Sequence, residues 1–196
     1  MKKALAAITL AVSALAAAPP GVAQDYYRAV ASGQAEAPPN GSPGSSVAAF
    51  EIDGLTMYAE VPFRDLLSGT VAAHIHCCTT EAFTGVSAVA VPFVDFPLQV
   101  TAGEYSASFD LADAAVYDPA FLAAFGGTAA TAGAALLDAL AANQAYLNIH
   151  TGQYPGGEIR GFLVAAPIPE PATWGMLGVG LAGLALVARR RPRMPG

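Results

Sequence analysis

The sequence predicts a mainly β domain, an antiparallel sandwich or barrel-like fold with a short helical insertion at about 118–142. Three observations predict it. Short segments alternating between apolar and polar residues recur from Val47 to Asp110, each bounded by Gly, Ser or Pro. The period then becomes helical between Asp118 and Ala142. Two more alternating segments, joined by a Gly-rich turn, follow from Ala145 to Ala165.

Each element has a local reason. Val47–Asp53 and Leu55–Val61 flank Gly54 and read as neighbouring strands. Thr70–Cys77 follows the Ser68-Gly69 turn, and further strands are predicted at Val86–Val91 and Tyr105–Asp110. Asp118-Pro119 opens a helix over Ala120–Phe125. The Asp118 side chain caps a free backbone N–H, and proline at the first helical position loses no hydrogen bond. After Gly126-Gly127, Thr128–Ala142 is rich in Ala and Leu, with Leu136, Leu137 and Leu140 on an apolar face. Ala145–Thr151, the turn Gly152–Gly157 and Glu158–Ala165 form a closing hairpin. Residues 24–46, rich in Pro, Gly and Ser, read by composition alone as a linker.

The ends of the chain have a different character. Lys2 and Lys3 precede an apolar run from Ala4 to Ala18, a Pro-Pro break and Gly21-Val22-Ala23. A charged start, a short apolar run and small residues before a cut after Ala23 make residues 1–23 a signal peptide. At the other end, Pro169-Glu170-Pro171-Ala172-Thr173-Trp174 leads into an uncharged stretch and then Arg189, Arg190, Arg191 and Arg193. The 17 residues 172–188 cover about 25 Å as a helix, marginal for a hydrocarbon core of ~30 Å. Arginines beyond the segment keep that end in the cytoplasm and leave the rest of the chain outside. Within it, Gly178, Gly180 and Gly183 match a dinucleotide fingerprint in spacing. No strand precedes them and no βαβ unit surrounds them, so they read as small residues of a membrane helix.

Taken in order, the Pro-Glu-Pro triplet, the short apolar helix and the arginine cluster resemble the PEP-CTERM sorting signal of Gram-negative bacteria. The resemblance implies export, cleavage near Pro169–Pro171 by an exosortase-type membrane protease, and release to the cell surface or matrix. Without cleavage, residues 172–188 anchor the chain in the inner membrane, facing the periplasm.

The whole chain carries a net charge of −6. Between the two ends lie residues 24–166, where three arginines stand against fourteen acidic residues, a balance of −11. Nucleic acid is excluded as a partner, because phosphate neutralisation needs clustered Lys and Arg.

Three blocks in this middle region carry a second resemblance: Ser32-Gly33-Gln34-Ala35-Glu36-Ala37-Pro38-Pro39, Ala72-Ala73-His74-Ile75-His76, and Tyr146-Leu147-Asn148-Ile149-His150-Thr151 running into Pro155-Gly156-Gly157-Glu158-Ile159-Arg160-Gly161. In this order they resemble the CHRD domain, the module named after chordin. The resemblance implies a secreted all-β module over 24–166, makes 24–46 part of that domain, and leaves 167–196 to the sorting segment. The family commonly has Gly-Pro after His-x-His, where this chain has Cys77-Cys78.

All three histidines of the chain lie in these blocks. His74 and His76 share one face of a strand, as do Asn148 and His150, and Glu158 and Arg160. If the three strands are neighbours, these six side chains form one polar patch. Two readings of it stand: a structural network of Asn148, Glu158 and Arg160 with the histidines, or a Cu or Zn site of His74, His76 and His150 with Cys78 as a soft fourth ligand. Cys77 and Cys78 are too close for an ordinary disulfide in extended backbone, which leaves a vicinal disulfide or free thiols. No cofactor and no catalytic residue is assigned, and the chain is expected not to be an enzyme. The sequence thus predicts an exported, surface-destined module with a structural or binding role, and metal binding or redox chemistry as the alternative.

Overall fold

Side chains alternate across a strand, so the apolar residues at every second position of 46–52 and 57–63 must share a face. In the computed structural model of the chain, which describes residues 24–167, they do: Ala48, Phe50 and Ile52 join Met57, Ala59, Val61 and Phe63 in the core. The two strands are β2 (Ser45–Asp53) and β3 (Thr56–Arg64), joined by a tight turn with Gly54 in the left-handed region.

Among the described residues, eight strands form one antiparallel sheet. The others are β1 (Gln24–Ser32), β4 (Thr70–His76), β5 (Val89–Pro92), β6 (Gly103–Asp110), β7 (Tyr146–Thr151) and β8 (Ile159–Ala166). Their order is β5-β4-β7-β8-β1-β2-β3-β6. Of the sandwich and barrel-like alternatives, the chain takes the barrel-like one, a single sheet curled around its core. Beyond the end of β5, Phe93 brings the two ends of the sheet towards each other by stacking on Tyr105 of β6 at 5.0 Å and meeting Phe109 at 5.6 Å. The Tyr105 hydroxyl adds a 2.9 Å hydrogen bond to the Val94 carbonyl.

The helical insertion is two helices, α1 (Pro119–Ala124) and α2 (Ala129–Ala141). Asp118 and Thr128 cap them, accepting from the backbone N–H of Ala120 and Thr131. α2 turns Ala132, Leu136, Ala139 and Leu140 into the core, while Leu137 stays at its margin.

The linker that composition alone suggested gives way, and one strand expectation changes. Residues 24–32 are no linker but strand β1, paired to β2 on one side and β8 on the other. Its core face is Tyr27, Ala29 and Ala31; alanines give a weak hydrophobic alternation, so composition alone conceals the strand. The strand expected over Val86–Val91 begins only at Val89, because Ser87 is engaged instead by the side chains of Tyr146 and His76. The signal peptide 1–23, Pro169, Glu170, Pro171, the segment 172–188 and Arg189–Arg191 lie outside the described residues. Among the described residues no helix is long and apolar enough to cross a membrane.

Candidate functional site

Three strands in the order β4-β7-β8 build the site. Their register sets His74 opposite Asn148 and Asn148 opposite Arg160; one pair along, His76 faces Tyr146 and Tyr146 faces Phe162. Ala73, Ile75, Leu147 and Ile149 point to the core, so His74, His76, Asn148, His150 and Arg160 must share the opposite face. That face is polar yet covered. All six residues of β7 are buried, including Asn148 and His150.

The cover comes from loops, and polar bonds hold it. Arg160 donates through Nε to the Ala35 carbonyl and through Nη1 to the Gly85 carbonyl, both at 2.8 Å. Its guanidinium stacks over Tyr146 at 4.9 Å and Phe162 at 5.6 Å. Asn148 Nδ2 donates to Glu36 Oε1 at 2.6 Å and to the Ile159 carbonyl at 3.1 Å. Burial raises the Glu36 carboxyl above the usual range, against the lowering effect of Asn148 and Arg160.

The histidines converge between these supports. His74 Nδ1 stands 3.3 Å from His150 Nε2. The ring of His76 is 5.6 Å from that of His74 and 5.8 Å from that of His150, and it stacks parallel on Tyr146 at 4.9 Å. Two imidazoles are oriented by backbone carbonyls: His76 Nδ1 lies 2.9 Å from the Ser87 carbonyl and His150 Nδ1 3.0 Å from that of Pro155. A carbonyl only accepts, so each Nδ1 carries the proton and each Nε2 presents a lone pair. His150 Nε2 therefore accepts from His74 Nδ1–H. His76 Nε2 is buried and has no hydrogen-bond partner among the described residues.

Burial keeps these rings neutral. It pushes His74 from 6.5 down to about 4, helped by His150 and His76 and opposed by Asp118. Burial likewise lowers His76, with Arg160 and His150 adding to it and the Ser87 carbonyl opposing, and it lowers His150 against the Pro155 carbonyl. The unfolded chain binds protons on these rings near pH 6.5, whereas in the folded chain His74 resists until about 4 and His76 and His150 are also held below 6.5. Stability is therefore lost as pH falls through that window and is level above it. In EDTA, the melting temperature is expected to fall from pH 6.5 towards 4, with a shallower slope for His74→Gln, the difference removing carboxyl titrations common to both. Parallel curves for the two proteins contradict the assignment.

Two expected members are elsewhere. Glu158 precedes β8 and its carboxyl turns to the core side, where it accepts from Ser42 Oγ at 2.5 Å, the Leu67 N–H at 2.7 Å and Thr151 Oγ1 at 2.5 Å. Strand parity fails there because the Tyr154–Gly157 turn, with Gly157 in the positive-φ region, leads directly into Glu158. Glu36 is the carboxylate that meets Asn148 instead. Cys77 and Cys78 are joined in a vicinal disulfide across a cis peptide. β4 ends at His76, so Cys78 does not continue the histidine face. Its sulfur lies 3.8 Å from the Ala135 carbonyl of α2, and as half of a disulfide it offers no thiolate to a metal.

Sequence reasoning missed Glu36, Tyr146, Ser87 and Pro155. The first two lie inside the blocks already singled out, while Ser87 and Pro155 act through carbonyls that every residue possesses. The patch thus holds three imidazoles whose ligand nitrogens all lie within 4.8 Å of one another.

Two family models match the chain: the CHRD domain over residues 27–163 and the PEP-CTERM protein-sorting motif over residues 167–191. No curated protein and no solved structure matches it.

Proposed function

The chain belongs to the CHRD domain family, and on that premise we propose that it is a binding module displayed at the cell surface, with no chemical step of its own. The observation that carries this reading is the succession of the two matches, the domain ending at 163 and the sorting motif beginning at 167. The motif marks an exported protein handled by exosortase-type machinery. Final display at the surface or in the matrix follows if the tail is removed, and until then residues 172–188 hold the domain at the inner membrane.

Two features support a binding role. The sheet gives a rigid frame to a buried polar face, which costs folding free energy unless every group is satisfied. The balance of −11 over residues 24–166 favours solubility outside the cell and disfavours anionic polymers as partners. Fractionation of a producing cell, with mass measurement of the mature termini, tests the reading. The expected product begins at Gln24, lacks Arg189–Arg193 and is found outside the inner membrane. A surface product that retains those arginines overturns processing at the tail, and a cytoplasmic product overturns export.

A further inference from the structure

We propose that His74, His76 and His150 bind one divalent transition metal, Zn²⁺ or Cu²⁺, and that this metal is the ligand of the histidine face. The inference rests on the reading of the domain as a binding module and not on where the module is displayed.

Spacing comes first. Nitrogens about 2.0–2.1 Å from a tetrahedral metal stand about 3.3 Å from one another. His74 Nδ1 and His150 Nε2 are 3.3 Å apart, and all three ligand nitrogens fall within 4.8 Å. Bringing the widest separation, 4.8 Å, to that spacing takes a shift of about 1.5 Å at the third ring, which completes a three-nitrogen face.

Orientation follows. Metal-bound histidines usually donate their second ring N–H to a carbonyl or carboxylate, which fixes tautomer and ring plane. His76 and His150 already do so, through Ser87 and Pro155. Both therefore carry a bare Nε2, and that of His150 faces His74 Nδ1 at 3.3 Å. His74 joins by moving its proton from Nδ1 to Nε2, a tautomer change that leaves the proton count unaltered.

The orphaned atom is the third argument. His76 Nε2 is buried without a partner among the described residues, and leaving such a group unmet is unfavourable. A purely structural network has no reason to keep it. A metal ion satisfies this atom and His150 Nε2 together.

Donor chemistry selects the ion. The set is all imidazole nitrogen, since the disulfide withdraws both sulfurs, and nitrogen donors suit Zn²⁺ and Cu²⁺ while Ca²⁺ and Mg²⁺ require oxygen. Arg160 is the charge that opposes a cation here. It is held away by Tyr146, which lies between His76 on β4 and Arg160 on β8, and it is engaged by the Ala35 and Gly85 carbonyls. Asp118, at the start of α1, acts on His74 with the opposite sign.

The test uses the full chain, purified in detergent without metal-affinity steps, stripped with EDTA and titrated with Zn²⁺ and, separately, Cu²⁺. The expected result is one equivalent bound, a raised melting temperature, and nitrogen hyperfine structure in the Cu²⁺ electron paramagnetic resonance spectrum. His76→Gln and His150→Gln are each expected to abolish stoichiometric binding. The spectrum of the unaltered protein decides the matter even if a variant fails to fold. Binding of less than about a tenth of an equivalent with no thermal shift overturns the proposal. So does undiminished binding when all three histidines are replaced. Neither result depends on the fractionation above, so failed export and a metal-free site are told apart.

Discussion

Glu158→Ala is expected to destabilise the domain by about 3–5 kcal/mol, enough to lower its melting temperature by about 10 °C or more. Glu158 is completely buried. Its side chain is the shared acceptor for the Ser42 hydroxyl, the Leu67 N–H and the Thr151 hydroxyl, and its backbone carbonyl accepts from Asn40 Nδ2 at 3.0 Å. Those contacts tie together three stretches far apart in sequence: 40–42, the middle of the β3–β4 connection, and β7. Alanine leaves the buried Thr151 hydroxyl and the part-buried Ser42 hydroxyl and Leu67 N–H without their acceptor, and a void where the carboxyl stood. Glu158→Gln keeps an oxygen for Ser42 and Leu67 and offers an amide to the Thr151 hydroxyl, so its cost is expected at about 1–2 kcal/mol. Thermal unfolding of both variants, followed by circular dichroism, measures this. An alanine variant as stable as the glutamine one means that the three donors find water, and the tie is then not structural.

Gly161→Ala is expected to be as damaging for a different reason. A Cβ built on Gly161 would sit 2.6 Å from the carbonyl carbon and oxygen of Val30 and 2.8 Å from the amide nitrogen of Ala31. These are backbone atoms of β1 and cannot rotate away. The β1–β8 pairing closes at this point between Ala29–Leu163 and Ser32–Arg160, so a methyl group pries the strands apart beside Arg160. The expected cost is about 3 kcal/mol, the upper end of what overpacking usually brings. Gly41→Ala is the control: nothing lies within 4 Å of its Cβ position, and a change within about 0.5 kcal/mol is expected. Equal melting temperatures for the two variants would show that β1 and β8 separate without penalty.

How much of the site was legible varies with the range of the interaction. That His74 and His76 share a face, and Asn148 and His150 another, follows from strand parity, which is local. Parity gave the right neighbours for Arg160 and the wrong ones for Glu158, because it holds only inside the ladder and Glu158 lies one residue outside it. It failed for Cys78 in the same way, two residues past the end of β4. Glu36 was visible as part of a block, but its partner Asn148 lies 112 positions away, a separation no spacing rule bridges.

The sequence alone determined the mainly antiparallel β class, the helices capped by Asp118 and Thr128, the acidity of the domain and the sorting motif after it. Each of these is written in neighbouring residues, in alternation, capping or charge. Only the tertiary structure decided that β4, β7 and β8 are adjacent, that β1 is a central strand, and that Ser87 and Pro155 orient two imidazoles. Those outcomes depend on where distant backbone segments meet, and a peptide carbonyl is the same in every residue. The sequence supplied three histidines on the right faces; the register of the sheet and the loops covering it bring their nitrogens together.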